Sequence, residues 1–168
     1  NKPFVFKYNI TVNGNFSTEE KNRLKSRLAN QLDDSIKVRA ARKILYKGIN
    51  RPVLVNPPLY ESANADRSVI YMKALLKSLG YFNDTIIYKA SIDTVASDEL
   101  RTTVDFFVTP GKVVRIDSFA YNIKQPDLQA LATKEPGLVK KGDPFAKSAI
   151  SAELDRLVLL YRNNGYMR

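Results

Sequence analysis

The chain has 168 residues, an ordinary apolar content of 44% and a formal net charge of +10, which suits one domain or two small ones. It contains neither cysteine nor histidine, so disulfide frameworks, thiolate or Ser-His-Asp catalysis and histidine metal sites are excluded. We therefore expect no enzymatic activity and no cofactor, and the basic charge favours contact with polyanions.

The first predicted elements are a strand and a surface helix. Residues 4–12 alternate in polarity, as a half-buried strand does. Ser17 followed three residues later by Glu20 matches a capping box, which predicts a helix from this point to about Asp33. The apolar stripe of this helix is thin and consists of Leu24, Leu28 and Leu32. Such a stripe is typical of a helix that covers one side of a sheet.

The stretch 35–65 has no single dominant pattern. Residues 36–46 fit either a strand or a short helix, whereas the prolines within 51–58 bias the residues before them toward extended backbone. We predict an irregular insertion with short extended pieces, followed by a polar lead at 61–65.

A cluster of basic residues surrounds Tyr46 in this stretch. Its members are Arg39, Arg42, Lys43, Lys47 and Arg51. The functional interpretation is a module that binds nucleic acid or anionic lipid headgroups, and the simpler one is a solvated basic loop. No RNP, KH or zinc motif supports nucleic-acid recognition, so we do not expect a nucleic-acid partner.

A second helix is predicted to begin with Asp66 as its N-cap and to end at Gly80. Its apolar stripe consists of Val69, Met72, Leu75, Leu76 and Leu79. Two strands follow, at 85–92 and 100–109, because both segments are rich in β-branched and aromatic residues. A polar turn at 96–99 separates them, and Pro110-Gly111 ends the second strand.

The sequence pattern of the remaining third of the chain predicts one more strand and two helices. Residues 113–123 alternate as a strand, and Pro126 suits the first turn of a helix that runs to about Thr133. Asp143-Pro144 is predicted as the N-cap and first position of a long helix that Gly165 closes. The expected buried stripe of this helix is Ile150, Leu154, Leu157, Val158 and Tyr161.

The two halves of the chain repeat each other. Tyr8-Asn9-Ile10 recurs as Tyr121-Asn122-Ile123, and Gly80-Tyr81 recurs as Gly165-Tyr166. The order of strand, helix and helix is the same in both. We predict a first α+β domain at 1–112 and a second at 113–168 that lacks its last two strands, as expected of a piece cut from a longer chain.

Three segments carry a resemblance to a known family: KALLKSLGYFNDTIIYKA at 73–90, TTVDFFVTPGKVVRIDSFAY at 102–121, and KKGDPF with LDRLVLLYRNNGYMR within 140–168. This pattern resembles the POTRA domains of outer-membrane assembly and translocation proteins, the surface-antigen family with BamA-like and TamA-like members, and is similar to its Bacteroidetes-type members. The resemblance implies tandem β-α-α-β-β units, each with a mixed three-stranded sheet and two helices on one face. It also implies that KGDPF opens a helix. The stretch 35–65 departs from the pattern.

By this resemblance the chain is expected at the periplasmic face of the bacterial outer membrane, where the full-length protein continues into a C-terminal membrane β-barrel. Its expected partners are unfolded outer-membrane polypeptides or assembly partner proteins, with possible contact to membrane headgroups. Such a sheet exposes edge strands, which accept extended peptides through backbone hydrogen bonds. The candidate edge consists of Asp84, Ile86, Tyr88, Ala90 and Ile92.

Overall fold

The structure, a computed structural model, describes residues 2–44, 50–96 and 99–166. It is an α+β fold with a mixed three-stranded sheet, and the described residues form four α-helices. The chain divides into two compact units, one of Asn1–Leu75 with Asp84–Pro110 and one of Leu76–Asn83 with Gly111–Arg168.

The first unit contains all the named strands and two helices. In chain order they are β1 (Phe4–Val12), α1 (Thr18–Ala29), β2 (Ala40–Ile44), β3 (Asn50–Leu54), α2 (Ser62–Ser78, whose last turn belongs to the second unit), β4 (Thr85–Ala96) and β5 (Glu99–Thr109). The main sheet has the order β1-β5-β4, with β1 parallel and β4 antiparallel to the central β5. The predicted strands at both ends of this unit are confirmed.

The capping box that begins α1 is confirmed atom by atom. The Ser17 side chain accepts the N–H of Glu20 at 3.2 Å, and the Glu20 carboxylate accepts the N–H of Ser17 at 3.0 Å. The bond from the Ser17 backbone, as the largest cause, and the bond from its side chain lower the pKa of Glu20 below its usual range. The stripe of α1 is buried as predicted, at Leu24 and Leu28, and Leu32 beyond the helix is buried too.

The core of the first unit lies between one face of the sheet and the two helices. Every second residue of β5, from Thr102 to Val108, is buried, while the residues between them are partly or largely exposed. This alternation is the signature of a sheet with one packed face. The other fully buried apolar residues of this core are Val5, Leu28, Ile36, Ala65 and Met72.

The short extended pieces predicted before α2 are confirmed, but the predicted helix start is wrong. The extended pieces are β2 and β3, which pair antiparallel as a separate two-stranded sheet and are therefore more regular than expected. The second helix begins at Ser62, and Asp66 lies inside it instead of capping it. The helix starts earlier because Asn64 and Ala65 are already buried, so tertiary packing extends it over the polar lead.

Both predicted Gly-Tyr helix exits are confirmed. Gly80 and Gly165 have φ values of 91° and 79°, in the left-handed region that favours glycine. In each case the N–H of the following tyrosine donates to the carbonyl five residues earlier, at 2.9 Å for Tyr81 and 3.0 Å for Tyr166. These bonds form a Schellman motif, so the two predicted helix exits share the same backbone geometry.

The second unit contains α3 (Pro126–Lys134) and α4 (Lys147–Asn163). The predicted strand at 113–123 is wrong, since this segment forms only isolated bridges, from Val113 to Tyr81 and from Arg115 to Pro144. A strand needs a neighbour of similar length, and the described residues place none beside this segment, whereas β1 has β5.

The start and the buried stripe of the long helix also differ from expectation. Its N-cap is Ala146, because the backbones of Pro144 and Phe145 pair with residues 114–115 instead of entering the helix. Two stripe residues, Leu154 and Val158, are 58% and 37% exposed, and the buried residue of α4 is Glu153. Predicted helix α3, with Pro126 in its first turn, is confirmed.

Candidate functional site

The candidate edge strand lies at an edge of the sheet. β4 is 12 residues long, and within the described ranges its only strand partner is β5. One side of β4 therefore presents backbone N–H and C=O groups that the ladder does not use.

A single hydrogen bond fixes which residues present those groups. The N–H of Asn13 donates to the carbonyl of Val108 at 2.8 Å, so the backbone polar groups of Val108 point toward β1. Ile86 stands opposite Val108 in the β4–β5 register, so its own N–H and C=O point away from β5. Because this direction alternates along a strand, the outward set is Ile86, Tyr88, Ala90 and Ile92.

These are four of the five residues of the predicted edge, and the fifth, Asp84, directly precedes β4. One carboxylate oxygen of Asp84 is shielded from solvent and has no hydrogen-bond partner among the described residues. Backbone and side-chain directions differ by about a right angle in a strand, so the side chains of the outward set do not line the edge. Ile86 is buried at 6% exposure, and only Ile92 is largely exposed, at 52%.

Tyr88 anchors the middle of β4 to the helix layer. Its ring centroid lies 5.8 Å from that of Phe106, and its hydroxyl donates to a carboxylate oxygen of Asp66 at 2.9 Å. Burial and this hydrogen bond raise the pKa of Tyr88 to about 12. The hydroxyl therefore stays a neutral donor at physiological pH, and the edge strand is held in place from its inner face.

The outer face of the sheet carries a small apolar patch beside the edge. Ile87 is 61% exposed and Phe107, its ladder neighbour on β5, is 36% exposed. Farther along, the guanidinium of Arg101 lies 4.6 Å from the ring centroid of Phe6, an arrangement that is typical of a cation–π contact.

Other site types find no support within the described parts of the chain. No group of acidic residues there is arranged to hold a metal ion, and no helix there has the length and hydropathy needed to cross a membrane. No family model and no curated protein matches this chain.

The predicted basic cluster falls mainly on the β2–β3 hairpin. Arg39 is exposed just before β2, Arg42 and Lys43 lie on β2, and Arg51 stands opposite Lys43 on β3. Lys47 lies outside the described residues. The register thus brings the backbones of Lys43 and Arg51 together, which a linear reading of the sequence does not reveal.

The most perturbed carboxylate of the second unit belongs to a closed network. Glu153 is 1% exposed and accepts hydrogen bonds from the Tyr121 hydroxyl at 2.5 Å, the Leu138 N–H at 2.6 Å and the Arg156 guanidinium at 2.7 Å. The bond to Arg156 is the largest cause that lowers the pKa of Glu153 to about 2. Both carboxylate oxygens of Glu153 accept hydrogen bonds from within the second unit, so the network ties Tyr121, Leu138 and α4 together.

Sequence reasoning missed two features. Glu153 interrupts an apolar stripe, with Arg156 one turn later, and that spacing was a signal for a buried pair. The second edge of the sheet, along β1, was also overlooked, although any open three-stranded sheet has two edges.

Proposed function

We propose that this chain is a POTRA-type region of an outer-membrane assembly or translocation protein that binds extended polypeptide segments. The binding site is the open edge of β4, and the client adds to the sheet as a further strand. The observation that supports this proposal best is the set of outward backbone groups at Ile86, Tyr88, Ala90 and Ile92.

Backbone pairing suits clients that differ in sequence. Each hydrogen bond formed along the edge contributes a net 0.5–1.5 kcal/mol, roughly, whatever side chain the client carries. The neighbouring apolar pair of Ile87 and Phe107 offers a contact for outward-facing client side chains. Because Tyr88 and Ile86 are fixed in the inner layer, the edge is already ordered before a client arrives, which lowers the entropic cost of binding.

The fold agrees with the family resemblance in its strand order and in its paired helix exits. The first unit runs β-α-α-β-β when the β2–β3 hairpin is set aside, and its sheet is mixed. On this proposal the natural clients are unfolded outer-membrane polypeptides or assembly partner proteins in the periplasm.

The test is a proline substitution that removes one outward N–H without breaking the β5 ladder. Ile92→Pro does so, because the Ile92 side chain is exposed and its N–H points away from β5. Ile92→Ala, which keeps the N–H, is the matched control. Binding of an unfolded outer-membrane strand peptide is followed by amide chemical shifts of the labelled protein.

We expect shifts along β4, affinity about tenfold weaker in Ile92→Pro, and near-normal affinity in Ile92→Ala. Far-UV circular dichroism of both variants confirms that the fold is retained. Equal affinity in all three proteins, or shifts confined to residues far from β4, would refute the proposed edge.

A second candidate function is binding of anionic headgroups through the β2–β3 hairpin. The register that sets Lys43 opposite Arg51, with Arg42 beside them, concentrates positive charge on one short sheet. The check is vesicle co-sedimentation with and without anionic lipid: binding that requires the anionic lipid and falls steeply with salt supports this role. Binding that depends on neither lipid charge nor salt concentration would contradict headgroup binding.

A further inference from the structure

A groove runs between the other edge of the sheet and helix α1. It has a volume of about 330 Å³ and lies wholly within the first unit. Its lining residues are Tyr8, Asn9, Ile10, Asn22, Lys25, Ser26 and Ala29. The first three belong to β1 and the others recur along one face of α1.

The first half of the β1 edge is already occupied by the chain itself. The N–H of Val5 donates to the carbonyl of Pro58 at 2.8 Å, and the N–H of Tyr60 donates to the carbonyl of Pro3 at 2.9 Å. Leu59 forms an isolated antiparallel bridge to Phe4. The segment 58–60 is therefore a short natural example of strand addition at this edge.

The second half of the edge is open. Within the described ranges, residues 8–12 pair with β5 on one side and with no strand on the other. Asn13 donates its N–H to β5, so the alternation along β1 turns the N–H and C=O of Tyr8, Ile10 and Val12 outward. These groups border the groove at Tyr8 and Ile10.

A strand placed here would project every second side chain toward α1, because α1 covers the inner face of β1. Those side chains would meet Lys25, Ser26 and Ala29 on the groove wall. Within the described ranges, Lys25 forms no salt bridge. An acidic side chain in the added strand would supply a partner.

We propose that this groove binds an extended acidic peptide segment as a strand beside the second half of β1, with an Asp or Glu side chain paired to Lys25. The inference goes beyond the β4 proposal, since it uses the opposite edge and selects its ligand by charge. A net charge of +10 on the chain favours the approach of acidic segments.

The probe is a capped octapeptide of alternating Thr and Glu, compared with the same peptide carrying Gln in place of Glu. Binding to the labelled protein at low salt is followed by amide chemical shifts. The test variant is Lys25→Glu, and the matched control is Arg27→Glu, which makes the same charge change at an exposed position of α1 outside the groove.

We expect the Glu peptide to shift the amides of Tyr8, Ile10 and Val12, and the Gln peptide to bind about tenfold more weakly, as the loss of one charge-assisted hydrogen bond predicts. Lys25→Glu should lower the affinity for the Glu peptide by at least about tenfold, and Arg27→Glu should lower it by about twofold or less.

Several results would overturn the proposal. Equal loss in Lys25→Glu and Arg27→Glu would mean that only overall charge matters. Chemical-shift changes at Ile86–Ile92 in place of residues 8–12 would mean that acidic peptides bind at β4. Absence of any binding of the Glu peptide would refute the proposed ligand of the groove. The β4 proposal is tested separately, because Ile92→Pro should leave binding of the Glu peptide unchanged.

Discussion

Glu153→Gln should destabilise the second unit by about 3 kcal/mol at neutral pH. Gln has nearly the same shape as Glu, but it is neutral, so it resembles the protonated form of the acid. The folded structure lowers the pKa of Glu153 from its ordinary value of 4.5 to about 2. At 1.36 kcal/mol per pKa unit, the structure favours the carboxylate over the neutral acid by about 3 kcal/mol. That is a large part of the stability of a small domain.

The loss of stability caused by Glu153→Gln depends on pH. A carboxylate whose pKa is lower in the folded state contributes stability that is fully present above about pH 4.5 and is lost as the pH falls toward about 2. The difference between the wild type and Glu153→Gln should therefore shrink across that range. Asp155→Asn, at an exposed position of the same helix, is the matched control and should change stability by less than about 0.5 kcal/mol.

The assay is urea denaturation followed by the amide resonances of Leu138 and Leu157, which report on the second unit alone. Leu138 is informative because its N–H donates to Glu153 at 2.6 Å. A difference below about 1 kcal/mol at pH 7, or one that does not change down to pH 3, would refute the claim that the buried carboxylate is stabilised by its charge.

The remaining predictions concern the first unit, and the first two are measured by thermal and urea unfolding. Thr102→Val should be neutral or raise stability by up to about 1 kcal/mol, because the Thr102 hydroxyl is buried and has no hydrogen-bond partner in the part of the chain that the structure describes. A clear loss of stability would contradict this. Ser68→Ala should cost about 1–3 kcal/mol, because the buried Ser68 hydroxyl bonds two backbone groups at 2.9 and 2.8 Å, and a cost near zero would show that water replaces them. Tyr88→Phe should remove the absorbance change that occurs near pH 12 in an alkaline titration of the tyrosines. It should leave peptide binding at β4 intact, because the backbone is unchanged. Weaker binding would mean that the Tyr88 hydroxyl or Asp66 contacts the client.

Local signals in the sequence determined the elements whose geometry depends on a few neighbouring residues. Ser17 and Glu20 form the capping box because their bonds span only three residues. Gly80 closes its helix because only a residue without a Cβ adopts that φ easily. The strand at 100–109 was predicted because it is rich in β-branched and aromatic residues, which fit the pleated backbone of β5.

Contacts between segments distant in the sequence decided the features that local signals did not determine. Whether residues 113–123 form a strand depends on a neighbour that local pattern cannot supply, and the hairpin of β2 and β3 exists because two short segments of weak pattern meet. Glu153 is buried because Tyr121 and Leu138, 32 and 15 residues away, satisfy its oxygens. The sequence by itself determined the capping box of α1, the Gly-Tyr exits of α2 and α4, and the positions of β1, β4 and β5. Only the tertiary structure decided which backbone groups the edge of β4 presents, because the direction of every N–H in β4 follows from how β5 bonds to β1.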